Sequence, residues 1–438
     1  MQKTRLRKLI VPAIALVLGT LSGSISHADP PLTNAVFPQA NPAPLKTVPT
    51  PTILAAKVRP GAVAPGKAFK ITYNWRAVPL DRDYSVFVHI ADANGVTLFQ
   101  DDHAPPVATS KWAGPVSYTR TVDVPATAPS GRYTIFAGLY AALPNNAGWE
   151  NEALLAGKGV VGGKDNRYQV GTVTFDPKAP PPPLDSAGPV TLNLKGYKLS
   201  FRDEFNDLSV SARGPGTRWM AHTPYFGDFG DARFADPADG FPFTVSNGVL
   251  RIEAKKNADG WKAGLLSSVD PKGNGFAQTY GYFEMRARFP KGPGTWPAFW
   301  LLSVDKLKDP TRTGIEIDVV EQYGHARQSL FATLHWWRDK NGHDAVGSHL
   351  TVSDMTEGFH NYGLLWDEKN LIWYFDGVEL WRQPTPPEAH TPLYLLVDLA
   401  LGGGWPIAQT PDPSVMFVDY VRAYARNGQK ATTSANKP

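Results

Sequence analysis

The sequence contains no cysteine. Disulfides and thiolate metal sites are therefore excluded. An excess of either charge is also missing. Lys and Arg number 44 against 40 Asp and Glu, a net charge of only +4, which leaves no nucleic-acid footprint. Apolar runs long enough to span a bilayer are absent, and there is no internal repeat. What the chain does have is length and aromatic rings. Its 438 residues suffice for two or three domains, and 13 of them are Trp.

The one sizeable apolar run is at the start. Lys3, Arg5, Arg7 and Lys8 precede the stretch Leu9 to Leu21, which is too short for a stable anchor. Ser26-His27-Ala28 follows with small residues at the key positions. This is the pattern of a signal peptide over 1–28, cleaved after Ala28. The expected product is secreted or periplasmic, with no membrane contact after cleavage. Residues 29–50 are rich in Pro and Ala and read as an extended lead.

Residues 51–176 change character. Ala68 to Trp75, Tyr84 to Ile90, Tyr118 to Val124, Tyr133 to Leu139 and Gln169 to Phe175 read as short strands between turn residues. Asp92-Ala93-Asn94-Gly95 is a hairpin signal. Such spacing predicts an immunoglobulin-like β-sandwich. Trp75, Tyr84, Phe87, Trp112 and Tyr140 are either its core or a flat platform on its surface. Residues 177–190 contain Pro180 to Pro183 and form a semi-rigid linker. The larger domain follows over 191–427, and 428–438 is a tail.

Within it, Gly314-Ile315-Glu316-Ile317-Asp318-Val319-Val320-Glu321 places three carboxylates within six residues. The β-branched residues favour a strand. Alternation sends Glu316 and Asp318 to one face, and a β-bulge near Val319-Val320 returns Glu321 to it. Crowded acids raise each other's pKa. Taken alone, the segment fits acid–base catalysis at a glycosidic bond, a hard-cation site, or a solvated acidic face.

The surroundings narrow this. Gly292-Pro293-Gly294-Thr295-Trp296-Pro297-Ala298-Phe299-Trp300-Leu301-Leu302 lies upstream. Thr333-Leu334-His335-Trp336-Trp337 and Leu399-Ala400-Leu401-Gly402-Gly403-Gly404-Trp405-Pro406 lie downstream. Phe201-Arg202-Asp203-Glu204-Phe205-Asn206 opens the region, and Val418-Asp419-Tyr420-Val421-Arg422-Ala423-Tyr424 closes it. In this order, from about residue 195 to 426, the chain resembles glycoside hydrolase family 16, in its bulge-containing laminarinase-like branch.

The resemblance implies an all-β chain, a concanavalin-like β-jelly roll preceded by the smaller sandwich. It implies Glu316 as nucleophile, Glu321 as general acid/base and Asp318 as their helper. It places Trp296, Trp300, His335 and Trp405 against substrate. No cofactor is expected for catalysis. A structural Ca²⁺ is implied at Glu204, the Gly248 carbonyl and Asp419. The expected activity is a retaining endo-β-glycanase cutting a β-glucan (β-1,3 or mixed β-1,3-1,4) or a bacterial exopolysaccharide, acting as a monomer on a polysaccharide partner. A transglycosylase with the same site, or a non-catalytic glycan-binding protein, is the alternative. One segment departs from the family pattern. Gly230 to Pro237 stands where many laminarinases carry an Asn-rich run, so different contacts to the sugar are expected there.

Overall fold

The computed structural model describes residues 50–142, 148–186, 191–225, 227–338 and 342–428. The expected signal peptide, nearly all of the lead, the end of the linker and nearly all of the tail lie outside them. Strands dominate, and among the described residues the single α-helix, Val304–Lys308, has five residues. Among the described residues no helix is long and apolar enough to cross a membrane.

The first domain is two packed sheets, and every expected strand is present within a few residues. The strand Ala68–Ala77 shows why. Its odd positions from Phe69 to Trp75 are buried, whereas Lys70, Thr72 and Asn74 face outward. Trp75, Tyr84 and Trp112 join the core between the sheets, and Phe87 is buried as well. Of the five aromatics considered for a platform, only Tyr140 reaches the surface, where it packs edge-on against exposed Trp149. At the hairpin, Asp92 Oδ1 accepts the Asn94 and Val96 N–H groups, and Gly95 takes φ +79°.

The second domain has its own core, from Phe205 to Ala423. Two antiparallel sheets enclose it. One runs in the order His343–Thr351, Ser329–Trp337, Gly314–Glu321, Thr295–Ser303, Leu393–Leu401, Gly260–Ser267. The other includes Asn370–Phe375, His360–Trp366, Gly281–Arg288 and Ser414–Arg426. The hairpin of Val249–Asn257 with Gly260–Ser267 joins the two into a curled sandwich. This is the expected jelly roll.

Alternation orients the acid strand. Ile315, Ile317 and Val319 are 0–2% exposed and fill the core. Burial of side chains of this size contributes roughly 1.5–3 kcal/mol each, enough to hold the strand's other face toward the open side of the sheet.

The sandwich packs on the C-terminal end of the edge strand His343–Thr351, whereas Asp344 to Gly347 stay exposed. Thr121 Oγ1 donates to the His349 carbonyl at 2.9 Å, and Ser329 Oγ donates to Asp123 at 2.5 Å. His349 Nε2 lies 3.4 Å from Asp123. Burial, with help from Arg120, pushes His349 down to about 3 and keeps it neutral. From the linker, Asp185 pairs by backbone and side chain with Thr351 and forms an ion pair with Lys70. An uncovered edge would offer unpaired N–H and C=O groups to other chains, and the sandwich reduces that hazard at this end of the strand.

Candidate active site

The bulge falls where the spacing of the acids requires it. Asp318 pairs with Trp300 and Val320 with Phe299, so Val319 is the extra residue. On the other side the register slips between Asp318 and Glu321. At the bulge the Asp318 carbonyl accepts the Trp373 indole N–H at 2.8 Å. Trp373 belongs to the opposite sheet and is 1% exposed, so the core itself clamps the bulge. The neighbouring strand Thr295–Ser303 runs unbroken through Pro297.

The acids share one face, and each glutamate is held by an indole. Trp337 Nε1 donates to Glu316 Oε2 at 2.8 Å, and Trp296 Nε1 donates to Glu321 Oε1 at 2.9 Å. Asp318, the expected helper of the two glutamates, faces His335, whose Nε2 is 3.0 Å from Asp318 Oδ2 and 4.0 Å from Glu316 Oε1. The reason is register: His335 pairs with Glu316 one strand over, so its ring reaches both acids. The other ring nitrogen, Nδ1, meets His343 Nε2 at 2.8 Å.

The expected aromatic residues divide. Trp296 is half-buried and touches Glu321, at the lip of the site. Trp300 lies in the floor, 5% exposed, with its N–H on Asp398 at 2.7 Å. It offers a sugar little surface. Trp405 is 36% exposed and packs on His325 at 4.0 Å between ring centroids. Tyr323, which the sequence did not single out, links them. Its ring stacks on Trp296 at 6.0 Å and approaches Trp405 at 6.2 Å. Gly403 lets this happen. At φ +61°, a Cβ there would lie 2.7 Å from the Tyr323 ring and 2.8 Å from Trp296. Phe229 packs edge-on against Trp296, Trp300 and Phe234, anchoring the loop before the strands. Its neighbour Phe226 lies outside the described residues.

The positions expected to hold calcium come together only in part. Gly248 lies beside Glu204, since a Cβ on it would sit 3.6 Å from the Glu204 carbonyl oxygen. The Glu204 carboxylate, however, takes a two-pronged ion pair from Arg422 at 2.8 Å on each oxygen. Arg286 holds Asp419. The carboxylates do not fit a cation while those arginines occupy them.

Glu316, Asp318 and His335 bring ligand atoms within 4.8 Å of one another, a spacing that suits a metal ion or shared protons. The Trp337 N–H uses Glu316 Oε2 and His343 meets His335 Nδ1, which leaves Glu316 Oε1, Asp318 Oδ2 and His335 Nε2 facing one another.

Burial, then the charge of Asp318, pushes both glutamates up to about 8. His335 and the indole N–H groups pull the other way. Burial, then Asp398, also raises Asp318. Protons therefore leave the set in shared steps rather than one residue at a time. Stability follows from the same shifts. A carboxyl whose folded pKa lies above its unfolded value near 4.3 destabilises the fold increasingly as pH rises from that value toward about 8. Glu321→Gln should therefore raise the melting temperature, and by more at pH 8 than at pH 5. Thermal unfolding at the two pH values checks this. An equal or reversed difference would contradict the assigned shift.

Residues 239–411 match the sequence profile of glycosyl hydrolases family 16. Two endo-1,3-1,4-beta-glycanases of Rhizobium meliloti, ExsH and EglC, are 36% and 37% identical over 263 and 251 residues. These matches cover 54% and 52% of this chain and 53% and 51% of the relatives, so the chain spans about half their length. A beta-glucanase of Rhodothermus marinus is 32% identical over 199 residues, 41% of this chain and 69% of that protein. The match spans the acid strand and its tryptophan-bearing neighbours, and the chain belongs to glycosyl hydrolases family 16.

Proposed function

We propose that this protein is an exported, retaining endo-β-glycanase that cuts β-1,3 or mixed β-1,3-1,4 linkages within a polysaccharide. One observation carries the reading. Glu316 and Glu321 point the same way from one bulged strand, each gripped by an indole N–H, with Asp318 and His335 between them. A binding protein gains nothing from three crowded acids. A hydrolase needs one carboxylate to attack and one carboxylic acid to protonate the leaving oxygen.

In this mechanism Glu316 attacks the anomeric carbon. His335, nearer to Glu316 and Asp318, and the Trp337 N–H stabilise its charge. Glu321 enters protonated, gives its proton to the leaving oxygen, then takes one from the incoming water. Trp296 fixes the Glu321 rotamer for both steps. Asp318, with Oδ2 3.0 Å from His335 Nε2, is the carboxyl whose charge, once it ionises, favours retention of the Glu321 proton before attack.

The names of the Rhizobium meliloti relatives support a β-1,3-1,4-linked glycan as the first substrate to try. The test is release of new reducing ends from mixed-linkage β-glucan, laminarin and bacterial exopolysaccharides, with product sizes. Early products of intermediate length support endo-cleavage. Products longer than the starting chains would indicate transglycosylation, and binding without cleavage of any of them would sink the proposal.

The two separate cores predict that a truncated chain beginning near residue 190 folds and cuts soluble oligosaccharides. It loses Asp123 and Asp185 from the edge strand, so it should melt at a lower temperature than the full chain. Calorimetry and turnover on the same samples check both halves. An insoluble or inactive product beside an active full chain would show that the domains depend on each other.

A further inference from the structure

The floor of the site holds a fourth carboxyl. Asp398 sits in Leu393–Leu401, a strand buried at every position, and is itself 0% exposed. Register places it on the acid face. Glu321 pairs with Ala298, and Ala298 pairs with Asp398. Directly paired residues of an antiparallel sheet project to the same side. Ala298 has only a methyl group, so no long side chain stands between the two carboxyls across the intervening strand.

Asp398 receives two donors. Trp300 Nε1 reaches Oδ1 at 2.7 Å, and the Ala400 N–H reaches Oδ2 at 3.2 Å. Among the described residues no ion pair reaches it. The groups that face it are Glu321, Glu316 and Asp318 from the acid strand, Trp300 from the adjacent strand, and the Tyr225 phenol from the loop above. His335 lies beyond Asp318. Leu265 pairs with it on the other side and carries no charge. A buried carboxyl without a cation is costly. An asparagine would accept the indole N–H but would set its own NH2 against the Ala400 N–H, so the two donors call for a carboxyl. What the acid adds is a proton that can leave.

We infer that Asp398 is a positioning residue of this site, fixing the Trp300 indole in the floor and, as it ionises, using its charge to hold the proton on Glu321 to higher pH. The inference rests on the reading of Glu321 as the acid/base. The electrostatic coupling falls on Asp398, whereas burial and Asp318 account for the rise of Glu321. Burial raises Asp398 to about 8, against the lowering by its two donors, and Glu321 and Glu316 add to the rise. Asp398 thus gains its charge in the same pH range in which Glu321 loses its proton.

The test is the pH profile of kcat/KM on mixed-linkage β-glucan or laminarin for Asp398→Asn, in the full chain. Removing the charge should let Glu321 lose its proton sooner. The alkaline limb should move down by about half a pH unit or more, with KM within about twofold of wild type. Trp300→Phe keeps the carboxyl but takes away its strongest donor, so Asp398 holds its own proton to higher pH. Its limb should move in the same direction by less, and this variant keeps the test open if Asp398→Asn does not fold. Limbs that stay at the wild-type position in the folded variants, with only rate or melting temperature lowered, would overturn the inference and leave Asp398 structural. Glu321→Ala is measured alongside. If it keeps wild-type activity, the acid/base reading has failed. If it is crippled and the limbs do not move, only the role of Asp398 has failed.

Discussion

Glu316→Gln should reduce hydrolysis of the true substrate by about a thousandfold or more, because the nucleophile that forms the covalent intermediate is gone. The change keeps the size of the side chain. The amide oxygen can still accept the Trp337 N–H that now reaches Glu316 Oε2 at 2.8 Å. It also removes one of the charges crowded beside Asp318, so the fold should be at least as stable as before. A dead enzyme with an undiminished melting temperature is therefore the expected pair of results. Loss of both would indicate a structural role for Glu316. Retention of activity within a few-fold would remove it from the chemistry altogether. Release of reducing sugar, measured at saturating substrate, distinguishes these outcomes without any assumption about linkage.

The acid strand was legible because two simple rules meet there. Period-two alternation put Ile317 and Val319 in the core, and the spacing of Glu321 then demanded a bulge. The aromatic and glycine segments were legible as family markers, but their contacts were not. The indole on Glu316 comes from Trp337, diagonally across the next strand, and only the register His335–Glu316 shows that it can reach. For the same reason nothing local showed that Asp318 faces His335. Trp300 looked like a sugar platform by position, yet its N–H is turned down onto Asp398. Asp398 itself gave one signal, an acid inside the apolar run Leu393 to Leu401. That signal went unread because nothing local says which strands flank it. In the first domain the aromatic residues followed the commoner course, and four of the five entered the interior.

Glu321→Ala should separate the two halves of the reaction. Protonation of the leaving oxygen matters most when that oxygen leaves badly, so natural glycans should be cut about 10²–10⁴-fold more slowly. Activated aryl glycosides need little protonation and should form the glycosyl-enzyme at close to the normal rate. The second step should then limit, since no base remains to activate water. Azide needs no base and fits the space that the missing carboxyl vacates beside Trp296. It should restore turnover on the aryl glycoside and give a β-glycosyl azide if Glu316 attacks from the opposite face. NMR of the first products from wild-type enzyme should likewise show the β-anomer before mutarotation. The retaining mechanism requires carboxyls about 5–5.5 Å apart, whereas inversion leaves about 6.5–9.5 Å for a water molecule. An α-anomer released first from a β-linked substrate would place Glu316 as the base for that water rather than the nucleophile. Absence of azide rescue, together with equal losses on activated and natural substrates, would take the acid/base role from Glu321 and give it to another of the carboxyls on this face.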